Sequence, residues 1–349
     1  MEETRKTRRG YYRWLILLLI AGNVVATVAF PPIRPHVQVP AETLAGPFNL
    51  PVVGELYLTN TMVATLLADV LLIAMAFSVR QGIRRNKAEP LAALRGVAGV
   101  VETAIEGLHN LVESTAGKWA GRILPWMITF VLMVLVANWT ELIPGVDSIG
   151  WLHEVHGDVE GYPARELFRV GELKVSSIVK ETASGHGPAY GVIPFIRVAS
   201  TDLNFTVALA LTAVVAIQVV GVMANGPGYF TKFFNFRDAV RMWVRQTLGP
   251  FDVLMPILNV FVGLLELVAE VAKIISFGFR LFGNIFAGSV LLFVLGSLVP
   301  VFVQSGVLLF EMFVGVIQAL VFGMLTMVFM TMATQSHGAQ GEEHAAAHG

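Results

Sequence analysis

The sequence predicts an all-α, polytopic membrane protein with five or six transmembrane helices, the last two forming a long C-terminal hairpin. Three observations carry that prediction. Of the 349 residues, 55% are hydrophobic and 14% charged, against about a quarter charged in soluble domains. Apolar runs long enough for the ~30 Å hydrocarbon core recur along the chain. Lysine and arginine clusters flank those runs in an order that fits one consistent orientation.

Taken in order, residues 1–13 carry Arg5, Lys6, Arg8, Arg9 and Arg13 ahead of the apolar run Trp14–Phe30. That run is either a retained anchor helix or a secretory signal, with Thr27-Val-Ala29 as a cleavage motif. Its basic start stays in the cytoplasm in both cases. Residues 31–57, rich in Pro and Gly, read as an outer loop. Thr59–Val79 is a span closed by Arg80, Arg84, Arg85 and Lys87, which put its far end in the cytoplasm. Asp69 lies mid-span, as either a proton-pathway acid or a helix–helix hydrogen bond.

Leu91–Ala120 differs in kind. Glu102, Glu106, Asn110 and Glu113 recur beside a face of Val101, Ile105, Leu108 and Val112, the pattern of an amphipathic helix. Its acidic polar face favours a protein partner over anionic lipid. Ile123–Ile143 is the next span and ends at Asn138-Trp-Thr-Glu-Leu-Ile-Pro-Gly145, with Trp139 as an interfacial anchor. The outer segment 146–200 reads as a long solvated loop. His153-Glu-Val-His156-Gly-Asp158 within it matches no specific metal-site spacing. Arg197–Thr206 opens a further span that continues to about Ala224. Asp202, Asn204 and Thr206 there are either helix-capping groups or the hydrated mouth of an ion path. Lys232, Arg237, Arg241 and Arg245 mark 226–250 as a cytoplasmic loop.

The hairpin 251–335 is almost uninterruptedly apolar, yet its first helix carries Glu266, Glu270, Lys273, Arg280 and Asn284. Their spacing places them in one helical stripe, about 27 Å from end to end at 1.5 Å per residue. Each ionised group at mid-membrane costs about 2.5–3.5 kcal/mol on insertion scales. Glu270 can reach Lys273 three residues on, with Glu266 a turn earlier, so those three are explained either by internal pairing or by transport. Arg280 has no acid within a turn on either side and is read as functional. In the second helix, from Phe302 to Ala333, Gln304, Glu311 and Gln318 are seven apart and share a face, with Gly315 leaving room for a close neighbour. The Arg280 face is the expected partner of Glu311 and Gln318. The tail 336–349 reads as disordered.

A fixed arginine blocks a continuous proton wire, because it repels cations and keeps its proton. A path interrupted in this way needs a mobile acid on another subunit, since none is evident on this chain. The absence of cysteine excludes disulfide and thiolate chemistry. With a net charge of −1 and no basic patch interleaved with aromatics, the chain offers nothing to a nucleic acid.

Ser276-Phe-Gly-Phe-Arg280-Leu-Phe-Gly-Asn284-Ile-Phe-Ala-Gly288 resembles the signature of subunit a of F-type ATP synthases. Thr201–Thr206, Asn138–Gly145, and Glu311 with Gln318 resemble other blocks of that family in the same order. The similarity covers roughly 55–145 and 195–335. The resemblance implies a proton-conducting stator with two offset half-channels beside the ring of c subunits, against which the C-terminal hairpin packs at a tilt. It makes Arg280 the residue facing the ring carboxylate. Asn284, Glu311 and Gln318 would line the outer half-channel, Asp202 and Asn204 would stand near its mouth, and Glu266 would belong to the cytoplasmic side. Segment 91–120 would meet the b subunits of the peripheral stalk, the F1 sector would be reached through the complex, and lipid would cover the rest.

Where some members have an acid or histidine after Ala-Gly, this chain has Ser289, and the titratable partner is displaced to Glu311. Ser289, Glu270 and Lys273 are candidate relay residues. The family resemblance further implies a multi-pass protein of the bacterial inner membrane that is not catalytic alone and uses no cofactor or metal. The organisation expected is an N-terminal segment 1–30 and a membrane domain 31–349. The rival readings are a self-contained ion-coupled secondary transporter, which needs its own carrier acid and usually repeat symmetry, and a non-transporting membrane scaffold.

Overall fold

The computed structural model describes residues 41–51, 54–85, 96–143, 145–154, 162–171, 173–178, 190–233, 250–299 and 302–335, with 13–14, 16–18, 20–25 and 28. The elements, in chain order, are β1 (Thr43–Leu50), β2 (Gly54–Thr59), α1 (Asn60–Arg85), α2 (Val97–Ala116), α3 (Ala120–Trp139), β3 (Gly150–Glu154), β4 (Ala164–Val170), β5 (Leu173–Ile178), β6 (Tyr190–Pro194), α4 (Leu203–Asn225), α5 (Pro250–Leu298) and α6 (Phe302–Thr334). Among the described residues, five helical stretches are long and apolar enough to cross a membrane: Asn60–Arg84, Ala98–Leu142, Leu203–Lys232, Leu258–Leu298 and Val303–Thr334. The shorter apolar helix Ile16–Val25 falls inside the N-terminal run. The protein is therefore mostly helical and polytopic, as its composition requires.

The helices follow from the sequence in simple ways. Helix α1 ends on Arg84-Arg85, cations that suit a helix C-terminus. Helix α2 buries Val101 and Val112 and leaves Glu102, Glu106, Asn110 and Glu113 exposed, the expected amphipathic division. It closes at Gly117, whose φ of +51° lies in the region glycine adopts without strain. The chain then makes one 3-10 turn, Gly117–Trp119, and re-enters α3. At 49 residues, α5 is about 73 Å long, more than twice the ~30 Å apolar core of a bilayer. It cannot stand upright wholly within the membrane.

The segments 43–59 and 146–200, expected as loops, contain strands. Residues 43–59 form an antiparallel pair, β1–β2, in register from Thr43↔Thr59 to Leu50↔Gly54. Within 146–200, β3 pairs with β6 from Gly150↔Pro194 to Glu154↔Tyr190, and β4 with β5 from Ala164↔Ile178 to Val170↔Leu173. The reason is local: Arg165–Val170 and Lys174–Ile178 mix β-favouring with charged residues around Gly171, which takes φ +63°. Mixed charge made these stretches look like loops, whereas two-stranded pairing tolerates charge on both faces. The tail 336–349, His156, Asp158, Arg237, Arg241 and Arg245 lie outside the described residues.

The chain forms two compact units. The first comprises Met1–Leu66, Ala137–Asp202 and Gly283–Gly315. Within it, Gly315 lets Asn138 and Trp139 close in, at 3.4 Å from where its Cβ would be, and Trp139 Nε1 donates to the Met312 carbonyl at 3.3 Å. The second comprises Leu67–Val136, Leu203–Phe282 and Val316–Gly349. Its centre is aromatic: Phe322 lies 5.3 Å from Phe277 and 5.8 Å from Phe130, ring centre to ring centre. Gly278 admits Val207 and Gly323 admits Val131, the small-residue contacts that let membrane helices approach closely.

Candidate functional site

The polar residues of α5 fall on two faces. Phe277, Leu281, Ile285 and Ser289 recur every fourth position and are buried, while Ser276, Arg280 and Asn284 recur at the same spacing and are exposed. Arg280 donates from Nη2 to Ser276 Oγ at 3.2 Å, and among the described residues it makes no ion pair. Arg280 and Asn284 are thus exposed on α5, while Glu311 and Gln318 on α6 are buried.

Glu311 has a different neighbourhood. A Cβ on Gly288 would overlap Glu311 Oε1, so the carboxylate occupies the space that only glycine leaves. The hydroxyl of the next residue, Ser289, lies within hydrogen-bond reach of Glu141 Oε1 and, at 3.1 Å, of the Ile285 carbonyl, and its one proton serves either acceptor. Glu141 and Glu311 are 7% and 5% exposed and close enough to act on each other electrostatically. Two buried carboxylates thus meet at consecutive positions of one helix. The buried polar set extends outward within the same unit. Ser200 Oγ donates to Asn138 Oδ1 at 2.6 Å, and Thr61 Oγ1 donates to Asp202 Oδ2 at 2.8 Å. Among the described residues, Asn138 Nδ2 is buried without a partner. Asp202 sits in extended backbone directly ahead of α4. Taken with the bond from Thr61, this makes Asp202 a member of a network and not merely a cap. Asn204 is exposed one residue into α4.

The sequence reading missed Glu141. It lies inside the Asn138–Gly145 block as an acid closing an apolar span, and that anomaly was the available signal.

The lower half of the α5 stripe is paired, in the second unit. Lys273 Nζ lies 2.9 Å from Glu270 Oε1, as the spacing allowed. Lys232, read only as a topology marker, reaches Glu270 Oε1 at 3.3 Å and Glu266 Oε1 at 3.7 Å. The stripe is therefore two things: a closed charge cluster from Glu266 to Lys273 and an open face at Arg280 and Asn284. Asp69 is exposed on α1. Among the described residues no group of three or more His, Asp or Glu is arranged to hold a metal; His153 and Glu154 lie in β3.

Outside the spans, burial raises the Asp147 carboxyl from 3.8 to about 6, against the opposing pull of Arg197. A carboxyl raised in the folded state gives stability that is complete below its unfolded value and lost as pH rises through the folded one. The outer turn at 145–149 is expected to open more readily as pH rises from about 4 to above 6. Hydrogen exchange of its amides, corrected for the intrinsic rate, should show this, and Asp147→Asn should flatten the dependence.

Fold and site together define a multi-span helical membrane protein that keeps charged and amide side chains within its spans, the class that moves ions. The family model described as ATP synthase A chain matches residues 61–331, and the chain belongs to that family, subunit a of the F-type enzymes. It is similar to ATP synthase subunit a of Shewanella sp. (strain W3-18-1), 32% identical over 256 residues covering 70% of this chain and 75% of the relative. It is also similar to subunit a of Mycobacterium ulcerans (strain Agy99), 27% identical over 281 residues covering 79% and 87%. It is accordingly a multi-pass membrane subunit of the F0 part of an ATP synthase, associated with ion transport rather than with the catalytic step.

Proposed function

We propose that this chain is the proton-conducting stator of a rotary ATP synthase in a bacterial inner membrane. It would supply two half-channels, to and from a carboxylate on the c ring. The observation that carries the reading is the open Arg280–Asn284 face of α5. A permanent cation exposed on an apolar helix is stable in a membrane only against a partner of opposite charge or water, and the ring carboxylate is that partner. Arg280 holds the passing carboxylate ionised and bars a direct leak.

On the outer side, Asp202 and Asn204 stand at the mouth, and Glu141, Ser289 and Glu311 carry protons inward toward Asn284 and Gln318. Glu266 serves the cytoplasmic side. The exposed acidic face of α2 takes the b subunits, and the F1 sector is held through the complex. The close pairing of Glu270 with Lys273 favours the scaffold reading for those two residues alone; it gives no account of Arg280.

The chain contains no cysteine, which permits a clean test of the face. Ala287→Cys, on the exposed side of α5, should cross-link to a cysteine placed beside the carboxylate of a c subunit. Ile285→Cys, on the buried side, should not. An assembled complex in which the Ala287→Cys variant cross-links to no c subunit would overturn the reading.

A further inference from the structure

We infer that Lys232 is a positioning residue of the cytoplasmic proton exit, holding Glu266 as the exchanging acid by neutralising Glu270 beside it. This rests on the stator reading. The ammonium is fixed from several directions. Its Nζ contacts Tyr229 Oη at 2.8 Å and Glu270 Oε1 at 3.3 Å. It also lies 4.3 Å and 4.4 Å from the ring centres of Tyr229 and Phe233, within cation–π range.

The strap that carries Lys232, Gly226–Lys232, is seated by two glycines. A Cβ on Gly221 would fall 2.5 Å from the Tyr229 ring, and one on Gly263 would overlap the Phe233 carbonyl oxygen. Tyr229 Oη donates in turn to Gln218 Oε1 at 2.8 Å. A lysine whose side chain is only 9% exposed is held this firmly to place one charge.

The two acids are not equivalent. Glu270 is 10% exposed and contacts two ammonium groups, Lys273 at 2.9 Å and Lys232 at 3.3 Å. It is a counter-ion and is removed from the relay. Glu266 is 32% exposed and, among the described residues, has one cation, Lys232, at 3.7 Å. It alone of the pair is both charged-partnered and reachable by water.

Among the described residues, the charged or titratable groups facing Lys232 are Tyr229, Glu266 and Glu270, with Lys273 behind Glu270; two acids thus meet two cations, and the cluster is neutral. Removing Lys232 leaves two carboxylates against one ammonium, and neutrality returns only if the cluster holds a proton. Glu266 is where water can deliver it.

The test uses the assembled complex in inverted membrane vesicles, whose bath is the cytoplasmic side, with ATP-driven acidification followed against bath pH. Lys232→Met should carry the alkaline limit of pumping upward by about one pH unit, because two carboxylates sharing one ammonium hold a proton longer than a neutral cluster does. Lys232→Arg should restore the wild-type profile. Lys232→Met combined with Glu270→Gln, again neutral, should restore it too.

An unchanged profile in Lys232→Met, or a double variant still displaced, overturns the inference. If Lys232→Met does not assemble, the neutral double variant decides: assembly with the wild-type profile supports the inference, and failure to assemble overturns it. Arg280→Ala on the same vesicles separates the two levels, because pumping that survives there refutes the stator reading itself.

Discussion

Arg280→Ala is expected to abolish ATP-driven acidification in inverted membrane vesicles while leaving the complex assembled. Arg280 is exposed and donates to Ser276 alone among the described residues, so removing it takes little from the fold. What it takes from function is large. Two unit charges about 4 Å apart interact by about 4 kcal/mol at an effective dielectric near 20, a factor of roughly a thousand. On the stator reading proposed above, a ring carboxylate without the guanidinium would pass the stator still protonated, and rotation would no longer be tied to proton exchange. Arg280→Lys keeps the charge but changes its reach and fork geometry, and should retain a few per cent of pumping at most. Pumping near the wild-type rate in an assembled Arg280→Ala complex would return the α5 stripe to a structural role.

Much of this was legible in the chain. The hairpin expected at 251–335 is found as Pro250–Leu298 and Phe302–Thr334, because apolar length and a helical period are enough to define such elements. The amphipathic division of α2 was readable for the same reason. Arg280 stood out because nothing within a turn could neutralise it.

The contacts that complete the site were not readable, because they are distant in sequence. Ser289 and Glu141 are 148 positions apart, and Lys232 and Glu270 are 38 apart. No periodicity links such pairs. Lys232 was hidden further by company: set among basic residues after a span, it carried the same topological meaning as its neighbours. The outer hairpins were missed through composition. Mixed charge suggested solvent, while Gly171 between two β-favouring runs was the turn signal that outweighed it.

Glu141 and Glu311 give the second large effect. Each is a carboxylate buried in a membrane protein, where an unpaired charge costs several kcal/mol. Such a pair is stable when it shares protons with each other and with hydroxyls. Ser289 brings a hydroxyl to Glu141, and Gly288, one residue before it, leaves the space that the Glu311 carboxylate fills. Passive proton flux through vesicles stripped of the soluble sector should fall tenfold or more in Glu311→Gln, and by a similar factor in Glu141→Gln. Both amides preserve volume, so the fold should hold.

If the two carboxylates work as one relay, the double variant should be little slower than the worse single one, since groups acting as a unit are not additive. Losses that multiply would mean two independent steps. A Glu141→Gln variant with wild-type flux would remove Glu141 from the path and leave Glu311 as the acid of the pair. Ser289→Ala tests the hydroxyl that meets Glu141. Deleting the hydroxyl should slow flux less than either amide does, and Ser289→Thr, which keeps the donor, should recover most of it.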